Sequence, residues 1–157
     1  MAVMSEFLHR LINVVVSEVD VGDDIFVVHE KDDAVTRVQV KYSKADSQQN
    51  GSYVALFNLP WKQFDEPADK PALVYVLAVR YQDHWSDFIV VRRSILWQFQ
   101  KSDDIGTVAT NKTGEPVGLV LRLVFTTQDV RAKGGFSLAT YRGAFHPWPP
   151  EPLVPKE

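Results

Sequence analysis

The sequence predicts a single α/β domain, and three features point there. Apolar residues recur at helical spacing near the start, two β-rich runs flank a short charged connection, and a long uninterrupted apolar run lies mid-chain. The 157 residues suit one domain with its own core. With 45% hydrophobic and 24% charged residues, composition is that of a globular chain rather than a disordered one. We place the domain at 1–145 and a proline-rich tail at 146–157.

Met4, Phe7, Leu8, Leu11 and Ile12 form a helical stripe, with Ser5 as the candidate cap. Val14, Val15 and Val16 then favour a strand, about Val14 to Val19, although the helical pattern can also run through Val16. Asp20-Val-Gly-Asp-Asp24 is a turn signal. Ile25 to His29 reads as a strand, Lys31-Asp-Asp33 as a hairpin tip and Thr36 to Tyr42 as the returning strand.

Ser43 to Ser52 is polar and reads as an exposed loop. The segment Tyr53 to Phe64 fits helix or strand, with Pro60 limiting a helix, and Asp65 to Pro71 reads as a turn. Ala72 to Arg80 is apolar enough for a strand buried on both faces. Phe88 to Val91 pairs with it across a turn at Gln82 to Asp87. Ser94 to Phe99 is a short helix or turn, Val117 to Phe125 a strand, and the tail from His146 extended or disordered.

The absence of cysteine removes disulfides, thiolate nucleophiles and Cys-based metal sites, and fits a reducing cytoplasm. No apolar run nears the roughly 18 residues of a membrane span, and the first ten residues lack a signal-peptide pattern. The expectation is a cytoplasmic protein without a membrane partner. A formal net charge of -3 offers no overall basic field for nucleic acid, so contact with DNA is local, or assisted by metal cations or a partner. None of His9, His29, His84 and His146 is paired at metal-ligand spacing, and neither a serine-hydrolase elbow nor a phosphate-binding glycine loop occurs. Lys133-Gly-Gly135 reads as a turn. Arg80, Arg92 and Arg93 lie near Trp85 and Trp97, a combination able to hold a nucleic-acid backbone but commoner as solvated strand ends over core tryptophans.

One constellation carries chemistry. Metal-assisted phosphodiester hydrolysis needs oxygen ligands for the metal and a cation near the attacking water or the phosphate. Asp24 offers a carboxylate, and on a strand Gln39 and Lys41 project from one face. Val38, Val40 and Tyr42 then point the other way, into apolar packing. The stretches Asp23-Asp-Ile-Phe-Val-Val28 and Arg37-Val-Gln-Val-Lys-Tyr-Ser43 resemble the strand pair of PD-(D/E)XK, or restriction-endonuclease-like, nucleases, with Gln39-Val-Lys41 as the Gln variant of their second element.

That resemblance implies a central mixed β-sheet flanked by helices and Mg²⁺- or Mn²⁺-dependent cleavage of DNA. Asp24 and an upstream acid would hold the metal, Gln39 would complete the shell and Lys41 would assist the water and phosphate. Glu6 and Glu18 both qualify as the upstream acid. Glu18 is better placed, six residues before Asp24, while Glu6 lies opposite the apolar stripe. The neutral amide at 39 binds metal more weakly than a carboxylate, so a catalytically inactive nuclease-fold module that binds protein or nucleic acid is the alternative. By analogy, a protein partner or homo-oligomer shares recognition, for example an ATPase in a defence or mobile-element system.

Overall fold

The computed structural model describes residues 2–10, 13–15, 25–28, 32, 34–66 and 72–150. Glu18, Asp24 and His29, together with the turn Asp20–Asp24 and most of the expected hairpin tip, lie outside the described residues.

Helix α1 spans Ala2–His9 and buries Val3 and Phe7, one turn apart on one face. Ser5 therefore sits inside the helix rather than capping it, and Leu8 is exposed. Strands β1 (Asn13–Val15), β2 (Ile25–Val28) and β3 (Val35–Lys44) follow. The hairpin expected from the two β-rich runs is present, with Ile25 opposite Val38 and Val28 opposite Val35. β3 runs two residues beyond the expected end at Tyr42, and Asp46–Ser47 forms the short β4. The polar stretch 43–52 is thus partly strand, and Ala45 within it is buried.

Tyr53 to Phe64 divides at Pro60 into β5 (Tyr53–Pro60) and a single helical turn, α2 (Trp61–Phe64). Proline cannot donate to a continuing ladder, but its fixed φ suits the approach to a helix. β6 (Leu73–Tyr81) and β7 (His84–Arg92) form a hairpin over the tight turn at Gln82 and Asp83. β7 begins earlier than Phe88, so much of the expected turn is strand. Then come α3 (Arg93–Asp103), β8 (Thr107–Thr110), β9 (Pro116–Phe125) and β10 (Val130–Arg131). Lys133–Gly135 is a 3₁₀ turn, as is Ala139–Tyr141.

These strands make two sheets. The first has the order β1-β2-β3-β6-β7 and is mixed, because β3 and β6 run parallel while its other neighbours are antiparallel. The second has the order β10-β9-β5-β4, with β8 also on β9, and its pairings are antiparallel. Parallel neighbours need a long crossover. Between β3 and β6 that crossover carries β4, β5 and α2, so it delivers a second sheet to one face of the first.

The long apolar run in β6 follows from this layering. Leu73, Tyr75, Leu77 and Val79 fill the core between the sheets, together with Phe57, Leu59, Leu119, Leu121, Leu123 and Phe125. Val74, Val76 and Ala78 face the opposite side, where Val3 and Phe7 of α1 and Phe145 cover the sheet. The chain is therefore α/β with a mixed sheet, but helices do not flank that sheet symmetrically: a second sheet replaces them on one face. Residues 146–150 pack rather than trail, since the Trp148 ring meets Phe7 edge-on at 4.7 Å and Pro150 is buried.

Candidate functional site

Alternation along β3 sends Val38 and Val40 to the α1 side of the sheet and leaves Gln39 and Lys41 together on the other, as expected. Tyr42 departs from expectation. It shares the face of Val40 but is 77% exposed, because β3 extends beyond the apolar packing there.

Gln39 is 5% exposed. Its register partner on β6 is Tyr75, which turns towards the same inter-sheet core. Between them stands Gln63 of α2. The Tyr75 hydroxyl donates to Gln63 Oε1 at 3.2 Å, and Gln63 Nε2 donates to Gln39 Oε1 at 2.9 Å. Buried amides cost free energy unless bonded, so this relay fixes the orientation of Gln39. Pro60 sets the entry to α2 and so brings Gln63 over β3. Neither Gln63 nor Tyr75 stood out in the sequence. The one available signal was parity, since Tyr75 is a hydroxyl-bearing residue amid the apolar run of β6.

Lys41 is half-buried, opposite Leu77 across the parallel ladder. It makes no ion pair or side-chain hydrogen bond among the described residues. One residue pair further along, Leu56 N donates to Ser43 Oγ at 3.2 Å, tying β5 to this edge of β3. The result is a buried amide and an uncommitted ammonium, two residues apart, at the seam between the sheets.

Asp24 and Glu18 fall outside the described residues. Glu6 is not brought to Gln39. It lies on α1, across the sheet, and holds Arg10 at 2.5 Å. A hard divalent cation wants oxygen ligands. An amide oxygen is a ligand of that kind, and Gln39 Oε1 already accepts from Gln63 Nε2. No group of three or more His, Asp or Glu side chains gathers among the described residues.

The chain matches no family model, no curated protein and no solved structure.

The other residues of interest divide sharply. Arg93 is buried, donating to Phe64 O at 2.9 Å, and Arg92 donates to Pro150 O. Trp97 Nε1 donates to Asp65 at 2.8 Å, and Lys101 lies 5.2 Å from the Trp97 ring. These serve packing. His9, His84 and His146 are exposed. A second buried polar cluster, unforeseen in the sequence, joins Asp87 to Arg142 through two bonds of 2.6 and 2.8 Å and to the Tyr53 hydroxyl. Asp87 raises the Arg142 pKa, while burial foremost, then the bond to Asp87, raises that of Tyr53. No helix among the described residues is long and apolar enough to cross a membrane.

Proposed function

We propose that this protein is a metal-dependent nuclease of the restriction-endonuclease-like type, cleaving phosphodiester bonds in DNA. The observation that carries the reading is the pairing of Gln39 and Lys41 on one face of a mixed sheet, with Gln39 locked by Gln63 and Lys41 left without a partner among the described residues. A lysine seldom stands in a β-branched strand beside apolar neighbours without a task. The β2–β3 hairpin and the mixed character of the sheet support the same reading.

In this proposal Asp24, Glu18 and Gln39 would hold Mg²⁺ or Mn²⁺. When bound, such an ion polarises a phosphoryl oxygen and acidifies water. Lys41 aims its ammonium at the phosphate and stabilises negative charge as it develops there. Gln63 and Tyr75 act through Gln39: the bond from Gln63 Nε2 to Gln39 Oε1 fixes the orientation of the amide.

Incubation with plasmid and single-stranded DNA in Mg²⁺ or Mn²⁺ tests this. Wild type should cleave, and Lys41→Ala should slow cleavage by about 10²-fold or more, as loss of one preorganised charge-stabilising group does. Asp24→Ala should abolish it. Cleavage surviving both substitutions would overturn the proposal.

The neutrality of Gln39, and its oxygen already accepting from Gln63, favour one second reading: a nuclease-fold module that binds without cutting. Wild type that binds DNA but leaves it intact in both metals would select that reading.

A further inference from the structure

On the face of the first sheet opposite Gln39 and Lys41, β3 and β6 outrun the cover given by α1. A groove of about 740 Å³ opens there, floored by Val40 and Ala78 and walled on one side by the first residues of α1. This volume lies within the span of ligand pockets, about 300–1,000 Å³.

Its far end has a definite chemistry. Tyr42 stands 77% exposed and Trp85 41% exposed. Lys44 and Arg80 are register partners across the β3–β6 ladder, and Arg80 is also opposite Trp85 on β7. Both cations are exposed, and neither side chain makes an ion pair or hydrogen bond among the described residues. Among the described residues, Asp83 is the one carboxylate lining the groove. In a chain of net charge -3, two uncommitted cations lining one groove with two exposed aromatic residues run against the general surface. Exposed rings and unneutralised cations together suit one class of ligand: flat apolar faces strung on an anionic backbone. Bases inside a duplex keep their faces covered, so the strand must be unpaired.

We propose that this groove binds single-stranded nucleic acid, with bases stacked on Tyr42 and Trp85 and phosphates held by Lys44 and Arg80. Because it lies across the sheet from Gln39 and Lys41, the inference stands without the cleavage reading.

The test is fluorescence anisotropy of a labelled short oligothymidylate with the full chain in EDTA, where metal-dependent cleavage cannot intervene. Wild type should bind the single strand more tightly than the matching duplex. Tyr42→Ala and Trp85→Ala should each weaken binding at least about fivefold, the lower end of what one stacked base contributes. Tyr42→Phe should retain affinity, because the ring remains. Lys44→Ala and Arg80→Ala should each flatten the dependence of log K on log salt by about 0.7, the single-strand value per phosphate contact. Tyr42, Lys44 and Arg80 are exposed, so their variants should melt as wild type does, and Tyr42→Ala carries the stacking test if Trp85→Ala, which removes a partly covered ring, melts lower. Absence of binding by wild type, or unchanged affinity in both aromatic variants, would overturn the proposal. So would an equal flattening from Arg122→Ala, an exposed cation on the other sheet, since that would mark diffuse charge attraction.

Discussion

At Gln39, Lys41 and Tyr42 a single strand assigns three fates to three neighbours. Alternation alone puts the first and last on opposite faces. What differs is the cover each face receives: a second sheet and Gln63 over Gln39, little over Tyr42. Tyr141 shows the same dependence on cover in its energetics. Its ring is buried in the inter-sheet core, and its hydroxyl has no hydrogen-bond partner among the described residues. A buried unsatisfied polar group costs about 1–3 kcal/mol. Tyr141→Phe should therefore stabilise the protein, by about 1 kcal/mol, in urea unfolding. A loss of stability would mean that the hydroxyl is satisfied.

At the scale of elements, the junction between α3 and β8 is built without slack. Asp104 ends α3 in the left-handed region, and Gly106 leads into β8. Gly106 N donates to Gln100 Oε1 at 2.8 Å, closing the turn on the helix it leaves. A Cβ at 106 would stand 2.9 Å from Leu119 Cδ1 and 3.0 Å from the carbonyl oxygen of Val120. The leucine tip can shift, but the backbone of β9, paired on both edges, cannot. Gly106→Ala should cost about 1–3 kcal/mol, the usual range for overpacking, read as a lower urea midpoint with unchanged slope. An unchanged midpoint would show that β8 yields. The contrast with β6 is instructive: its seven consecutive buried residues, Leu73 to Val79, announced themselves by apolarity, whereas the tightness at Gly106 left no mark in a stretch of ordinary composition.

Across the whole molecule, the two sheets are tied by Tyr53, Asp87 and Arg142. Tyr53 belongs to β5 in one sheet and Asp87 to β7 in the other, and Arg142 reaches from the C-terminal segment to Asp87 and to Thr126 O at 2.7 Å. Asp87 is buried while Arg142 is partly exposed and keeps its bond to Thr126 O, so Asp87→Ala should cost about 1–3 kcal/mol, whereas Asp87→Asn, which can still accept from Tyr53, should cost less. A loss below about 1 kcal/mol, the worth of a surface pair, would sink the clamp. Alkali should reveal it independently. Tyr53 and Tyr141 both have pKa values raised above the ordinary 10.0. The folded state then keeps protons that the unfolded chain releases, so the stability they contribute is whole below pH of about 10 and drains away as pH rises through the folded values. Thermal melts should fall in that window, and fall less in Tyr53→Phe.

By itself the sequence determined what depends on neighbours along the chain: the helix at the start, the hairpin from Ile25 to Tyr42, the doubly buried strand at Leu73, and the shared face of Gln39 and Lys41. These follow from period and from side-chain shape, which are local. Only the tertiary structure decided what lies across from each residue. The crossover after β3 brought a sheet where helices were expected, set Gln63 and Tyr75 against Gln39, left Glu6 on the far side with Arg10, and bared Tyr42 beside Arg80 and Trp85. Partners distant in sequence are chosen by packing, and packing is a property of the whole chain at once.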